Sequence, residues 1–156
     1  MIAMLKLIDI LALDNRRSPS VVHNVRFINP TTISKPPGYT HVVEIAGPGR
    51  IVHIAGQLGL DTSGKLVGAA GDFSAQATQA FENLKAALGA VGASAENIVK
   101  INSYIVDIGK NIGAFRELRN RYLNMAAPPA STAVGVPALA VPGALFEIEA
   151  MVALPA

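Results

Sequence analysis

At 156 residues the chain is sized for one domain, and 51% hydrophobic against 15% charged residues is high for a small monomer, so some apolar surface is expected to be shared with partner subunits. The absence of cysteine excludes disulfides, thiolate catalysis and Cys-ligated zinc or iron–sulfur centres. A net charge of +2 argues against nucleic-acid or membrane-surface binding and favours small-molecule or protein partners.

Residues 1–24 read as an N-terminal extension and residues 25–156 as the domain proper. Met4, Leu5, Ile8, Leu11 and Ala12 fit a short amphipathic helix. Lys6 and Asp9 break that apolar region too early for a secretory leader, so a cytoplasmic location is expected. A linker at Arg16-Arg17-Ser18-Pro19 leads to a first strand, Val25 to Ile28, which Asn29-Pro30 ends.

His41 to Ala46 and Arg50 to Gly56 are β-rich runs joined by Gly47-Pro48-Gly49, a spacing that predicts a hairpin. Beyond a turn at Asp61 to Gly64, Asp72 is placed to cap a helix whose stripe is Phe73, Ala77, Ala80, Phe81, Leu84, Leu88 and Val91, with Gly92 as its stop. Ile98 to Val106 is rich in β-branched residues and reads as a strand, with Asp107 to Gly109 as a turn. Helical spacing returns from Asn111 to Asn124 through Ile112, Phe115, Leu118 and Tyr122, which puts Arg116, Arg119 and Arg121 on other faces. Ser131 to Val136 and Leu145 to Leu154 are the last strands. The uncharged run between Asn124 and Phe146 is long enough to span a bilayer, but prolines and glycines interrupt it, so it reads as soluble core and loop.

The expected order is β-β-β-α-β-α-β-β, an α+β domain. Two such helices cover one face of the sheet. In the last strand Phe146, Ile148, Ala150 and Val152 form one face, while Glu147 and Glu149 leave on the other, roughly 6 to 7 Å apart, flanked by Leu145, Met151 and Ala153. Both faces are substantially apolar, so a homo-oligomer packing sheet against sheet is expected, with both glutamates near a subunit boundary.

Read together, INP at 28–30, Tyr39, IAGQLGLD at 54–61, the AQATQAFENLKAAL helix, the IVKINSYIVD strand and PAS with FEIEAMVAL resemble the RidA (YjgF, reactive intermediate or imine deaminase) family from about residue 25 to the C-terminus. The resemblance implies a chorismate-mutase-like fold, a mixed sheet with two helices on one face, assembled as a homotrimer with a small-molecule ligand in each intersubunit cleft. It further implies deaminase-like hydrolysis of amino-acid-derived enamines and imines, with no metal and no organic cofactor. Carried over by motif, Glu147 is the glutamate that positions or activates water, Tyr39 lines the cleft mouth, and Gly56 is the glycine of the family's SGQ-like turn, AGQ in this chain. The family's carboxylate-binding arginine falls on Ser131, because this chain reads PAS where the motif has PAR. Serine offers one neutral hydrogen bond in place of a charged bidentate fork, which weakens the expectation of imine deaminase activity without touching the fold.

Ser131 and Thr132 are candidate ligand hydroxyls, and Arg116, or Arg119 one turn on, is a candidate replacement for the missing cation. Glu149 reads as an interface ion pair or a backbone hydrogen-bond acceptor. His23, His41 and His53 lack metal-ligand spacing, and His53 reads as a hydrogen-bonded strand residue. There is no nucleophile elbow around a serine and no Gly-rich nucleotide loop. Three functions stay open: a cofactor-independent hydrolase of an enamine, imine or related unsaturated nitrogen compound, a non-catalytic ligand-binding or regulatory module, and, ranked last for want of a histidine pair or basic stripe, an endoribonuclease.

Overall fold

A computed structural model describes residues 23–156, and the expected N-terminal helix and linker lie outside that range. The described elements are β1 (Asn24–Ile28), β2 (Val42–Ala46), β3 (Gly49–Leu58), α1 (Phe73–Ala90), a 3-10 turn (Ala95–Asn97), β4 (Ile98–Val106), α2 (Ile108–Tyr122), β5 (Ala130–Val136) and β6 (Phe146–Pro155). The main sheet runs β3-β6-β4-β5. Its first two pairings are antiparallel, and β4 and β5 are parallel, joined across the sheet by α2.

The expected hairpin between residues 41–46 and 50–56 does not form. β2 pairs antiparallel with β1, from Asn24 opposite Ala46 to Ile28 opposite Val42, and β3 pairs instead with β6. Gly47 takes a positive φ of 87°, and Pro48 has no amide hydrogen to donate, so the connection divides two sheets.

Helix α1 starts where the sequence indicates. The Asp72 carboxylate accepts from the Ala75 amide at 2.9 Å, and Gly92 stops the helix with φ of 72°. Helix α2 starts earlier than expected, at Ile108, because Asp107 adopts the left-handed region (φ 50°) and turns the chain straight from strand to helix. The buried Asn111 secures this corner by donating to the Val106 carbonyl at 2.9 Å.

Phe146 organises the core. Its ring lies 5.6 Å from Phe81 and 5.7 Å from Phe73 of α1, and 5.7 Å from Phe115 of α2, so both helices sit on the face of β6 that carries Phe146. Ile148, Ala150 and Val152 continue that face, and Ile101 and Ile105 of β4 join it, all buried. Gln76, also buried, receives the Leu145 amide at 2.8 Å and donates to the Gly143 carbonyl at 3.2 Å. Those two bonds fix the entry into β6.

Candidate functional site

The sheet face away from the helices carries a polar array. Strand alternation and register put His53 and Ala55 of β3, Glu147, Glu149 and Met151 of β6, Lys100, Asn102 and Tyr104 of β4, and Thr132 and Val134 of β5 on this one face. Asn102 donates to Glu149 at 2.7 Å, Tyr104 donates to the same oxygen at 3.1 Å, and Lys100 donates to Thr132 at 2.6 Å. An open groove of about 310 Å³ runs over His53, Ala55, Lys100, Asn102, Glu149 and Met151.

The electrostatics follow from these contacts. Its hydrogen bond to Glu149 raises the Tyr104 phenol above its ordinary pKa, with burial and the charges of Glu149 and Glu147 acting the same way. Burial pulls the Lys100 ammonium below the ordinary lysine value. Among the described residues no group of His, Asp and Glu is arranged to hold a metal ion, and no helix is long and apolar enough to cross a membrane.

Glu147 and Gly56 come together. β3 bulges between Ile54 and Gln57, and the bulge brings the Gly56 α-carbon under the Glu147 carboxylate. A β-carbon added at Gly56 would overlap Glu147 Oε1 and lie 2.7 Å from Cδ. The glycine is required there by close approach, since its φ is not in the positive region. Glu147 makes no side-chain hydrogen bond among the described residues, whereas Glu149 is committed to Asn102 and Tyr104. Those two side-chain donors replace the interface ion pair or backbone bond expected for Glu149.

The remaining candidates are spread out. Thr132 is on the open face and accepts from Lys100. Ser131 pairs with Ile101, whose side chain is buried under the helices, so Ser131 faces the opposite way from Glu147. The register explains this: Glu147 lies opposite Tyr104, and Tyr104 opposite Val134, which is an odd number of residues from Ser131. Tyr39 is half-buried and stacks edge-on to His41 at 5.3 Å. Its neighbour Thr40 donates to the Pro128 carbonyl at 2.6 Å and bridges Ala130, holding this segment against the start of β5. Arg116 is exposed on α2, whereas Arg119, placed by helical spacing on a face away from the core, is buried beside Phe115. His53 is exposed and makes no side-chain hydrogen bond among the described residues, contrary to expectation. Asn102 and Tyr104 were missed by sequence reasoning, although the period-2 alternation of INSYIV puts both on one face once β4 is set beside β6.

These features define an α+β protein in which two helices seal one face of a mixed sheet and the other face presents an ordered polar array beside a glycine-cradled carboxylate. The chain belongs to the Endoribonuclease L-PSP family, the RidA/YjgF group that its sequence resembles, whose profile matches residues 32–154. It is 38% identical over 116 residues to a RutC family protein of Aquifex aeolicus, covering 71% of this chain and 84% of that one. It is 31% identical over 131 residues to a 2-iminobutanoate/2-iminopropanoate deaminase of Dermatophagoides farinae, covering 83% of this chain and 96% of that one. Among solved structures, the Rid family protein YyfB of Yersinia pestis superposes with a TM-score of 0.72 at 37% identity, over 84% of this chain and 99% of that one.

Proposed function

We propose that the protein hydrolyses a small imine, or an enamine through its imine tautomer, with Glu147 as the water-activating base. The observation that carries this reading is the Glu147 carboxylate held over Gly56 with no hydrogen-bond partner among the described residues, while the neighbouring Glu149 accepts from both Asn102 and Tyr104 through Oε1. A family relative named as a 2-iminobutanoate/2-iminopropanoate deaminase supports the substrate class. In the proposed step the water oxygen bonds to the imine carbon while one water proton passes to Glu147 and on to the nitrogen. The hydroxyl proton of the resulting carbinolamine then passes through Glu147 to the nitrogen as the C–N bond breaks, so that ammonia leaves and a carbonyl remains.

The working unit in this proposal is a homotrimer whose clefts lie between subunits. Ile51 and Val134, 46% and 40% exposed on the same face as the polar array, support coverage of that face by another copy. The opposite orientations of Glu147 and Ser131 within one chain support a cleft that draws on more than one subunit.

Ser131 favours a second reading, a module that binds the same ligands without turning them over, because it offers no cation where the resembled motif has one. Imines generated in situ by an amino-acid oxidase separate the two. Faster decay of the imine and release of ammonia in the presence of the protein supports hydrolysis. Ligand-dependent thermal stabilisation without faster decay supports the binding module.

A further inference from the structure

We infer that Arg119 holds the anionic group of the ligand, and that this group is a carboxylate. The inference rests on the small-molecule reading of this cleft and extends it to a second position, the helix-covered side of the rim near Ser131. A guanidinium out of water is costly unless a negative charge accompanies it. Arg119 is only 7% exposed, and no carboxylate lies within ion-pair reach of it among the described residues. Its Nε and Nη2 donate to Asn120 Oδ1 at 3.2 and 2.9 Å, and its guanidinium carbon stands 5.9 Å from the centre of the Phe115 ring. Nη1 donates to nothing among the described residues. Among the described residues the unpaired side-chain atoms sealed from solvent are His23 Nδ1 and Ser103 Oγ, and Nη1 is not one of them. Burial, with the nearby Arg116 charge adding to it, disfavours the Arg119 cation, and an anion would relieve both.

The location links this charge to the proposed cleft. A β-carbon at Gly38 would overlap Arg119 Nη2, so the guanidinium lies directly against the backbone of the segment carrying Tyr39. Two residues on, Thr40 is fastened to Pro128 and Pro129 by hydrogen bonds and bridges Ala130, the residue before Ser131. Ser131 faces the helix-covered side, the side on which α2 carries Arg119. A cation from α2 therefore stands by the rim at which Ser131 presents only a hydroxyl. A planar guanidinium matches a carboxylate better than a lysine would.

The test is calorimetric binding of pyruvate, the 2-oxo acid left by hydrolysis of 2-iminopropanoate, beside its neutral analogue pyruvamide. Arg119→Gln should weaken pyruvate by about 10- to 100-fold and leave pyruvamide unchanged, as expected for loss of a charge-assisted pair. The exposed Arg121→Gln should leave both unchanged. Arg119→Lys, which keeps the charge if the glutamine variant does not fold, should weaken pyruvate selectively but less. Absence of pyruvate binding by the wild type, equal loss of both ligands in either Arg119 variant, or undiminished pyruvate binding overturns the inference. Arg119-dependent pyruvate binding without imine turnover would sink the hydrolase reading and leave the anchor standing. Hydrolysis of a carboxylate-bearing imine that is insensitive to Arg119 substitution would do the reverse.

Discussion

The Glu147 carboxylate rests on the α-carbon of Gly56, in a space that any β-carbon at position 56 would occupy. Gly56→Ala should therefore push the carboxylate aside without breaking the fold, because the overlapping atoms are the free end of a side chain. We expect thermal unfolding within about 1 kcal/mol of wild type, since alanine in a strand also recovers some backbone entropy, and imine turnover reduced by roughly 100-fold. Differential scanning calorimetry and initial rates on the same preparation check the two halves separately.

Tyr104 and Glu149 should be visible in an alkaline titration. The hydrogen bond to Glu149 raises the phenol pKa, so Tyr104 should ionise after an ordinary tyrosine, and Glu149→Gln should bring it back toward the ordinary value. A raised folded-state pKa means that the folded form holds its proton more tightly. The associated stability is complete below the unfolded-state value of about 10 and is lost as pH rises through the folded-state value. Tyr104→Phe should flatten that alkaline loss. The tyrosinate absorbance of the wild type and both variants, followed with pH, measures the shift directly.

Core and cap substitutions should rank clearly. Phe146 is fully buried between Phe73, Phe81 and Phe115, so Phe146→Ala should cost about 3–5 kcal/mol. Asp72→Ala removes a single cap bond at the start of α1 and should cost about 1 kcal/mol. Urea unfolding of both variants tests the order, and a smaller loss for Phe146→Ala than for Asp72→Ala would contradict the packing described.

Much of this architecture is legible in the sequence because local signals and tertiary demands agree. The stripe from Phe73 to Leu88, the Asp72 cap and the alternation of Phe146, Ile148, Ala150 and Val152 each specify an element and its buried face. The hairpin at Gly47-Pro48-Gly49 was misread because turn chemistry does not say which neighbour a strand chooses, and β3 pairs with β6 across nearly the whole domain. Arg119 was misplaced because helical spacing ranks faces by apolarity, while the burial of Arg119 depends on Phe115 beside it and on Gly38, which arrives from a distant segment. The contact of Gly56 with Glu147 depends on a bulge that no spacing rule announces. Glu147 and Gly56 could thus be named as candidates from the chain, but Asn102 and Tyr104, and the faces that all four occupy, required the register of β3, β4 and β6.

The most direct measurement is the rate of ammonia release from 2-iminopropanoate, generated in situ, by wild type and by Glu147→Gln at matched thermal stability. Hydrolysis by the wild type and a fall of about 10²- to 10⁴-fold in the variant are expected, the range for loss of a positioned base. Equal rates in the two proteins, or no hydrolysis by the wild type above the uncatalysed background, would contradict the proposed role of Glu147.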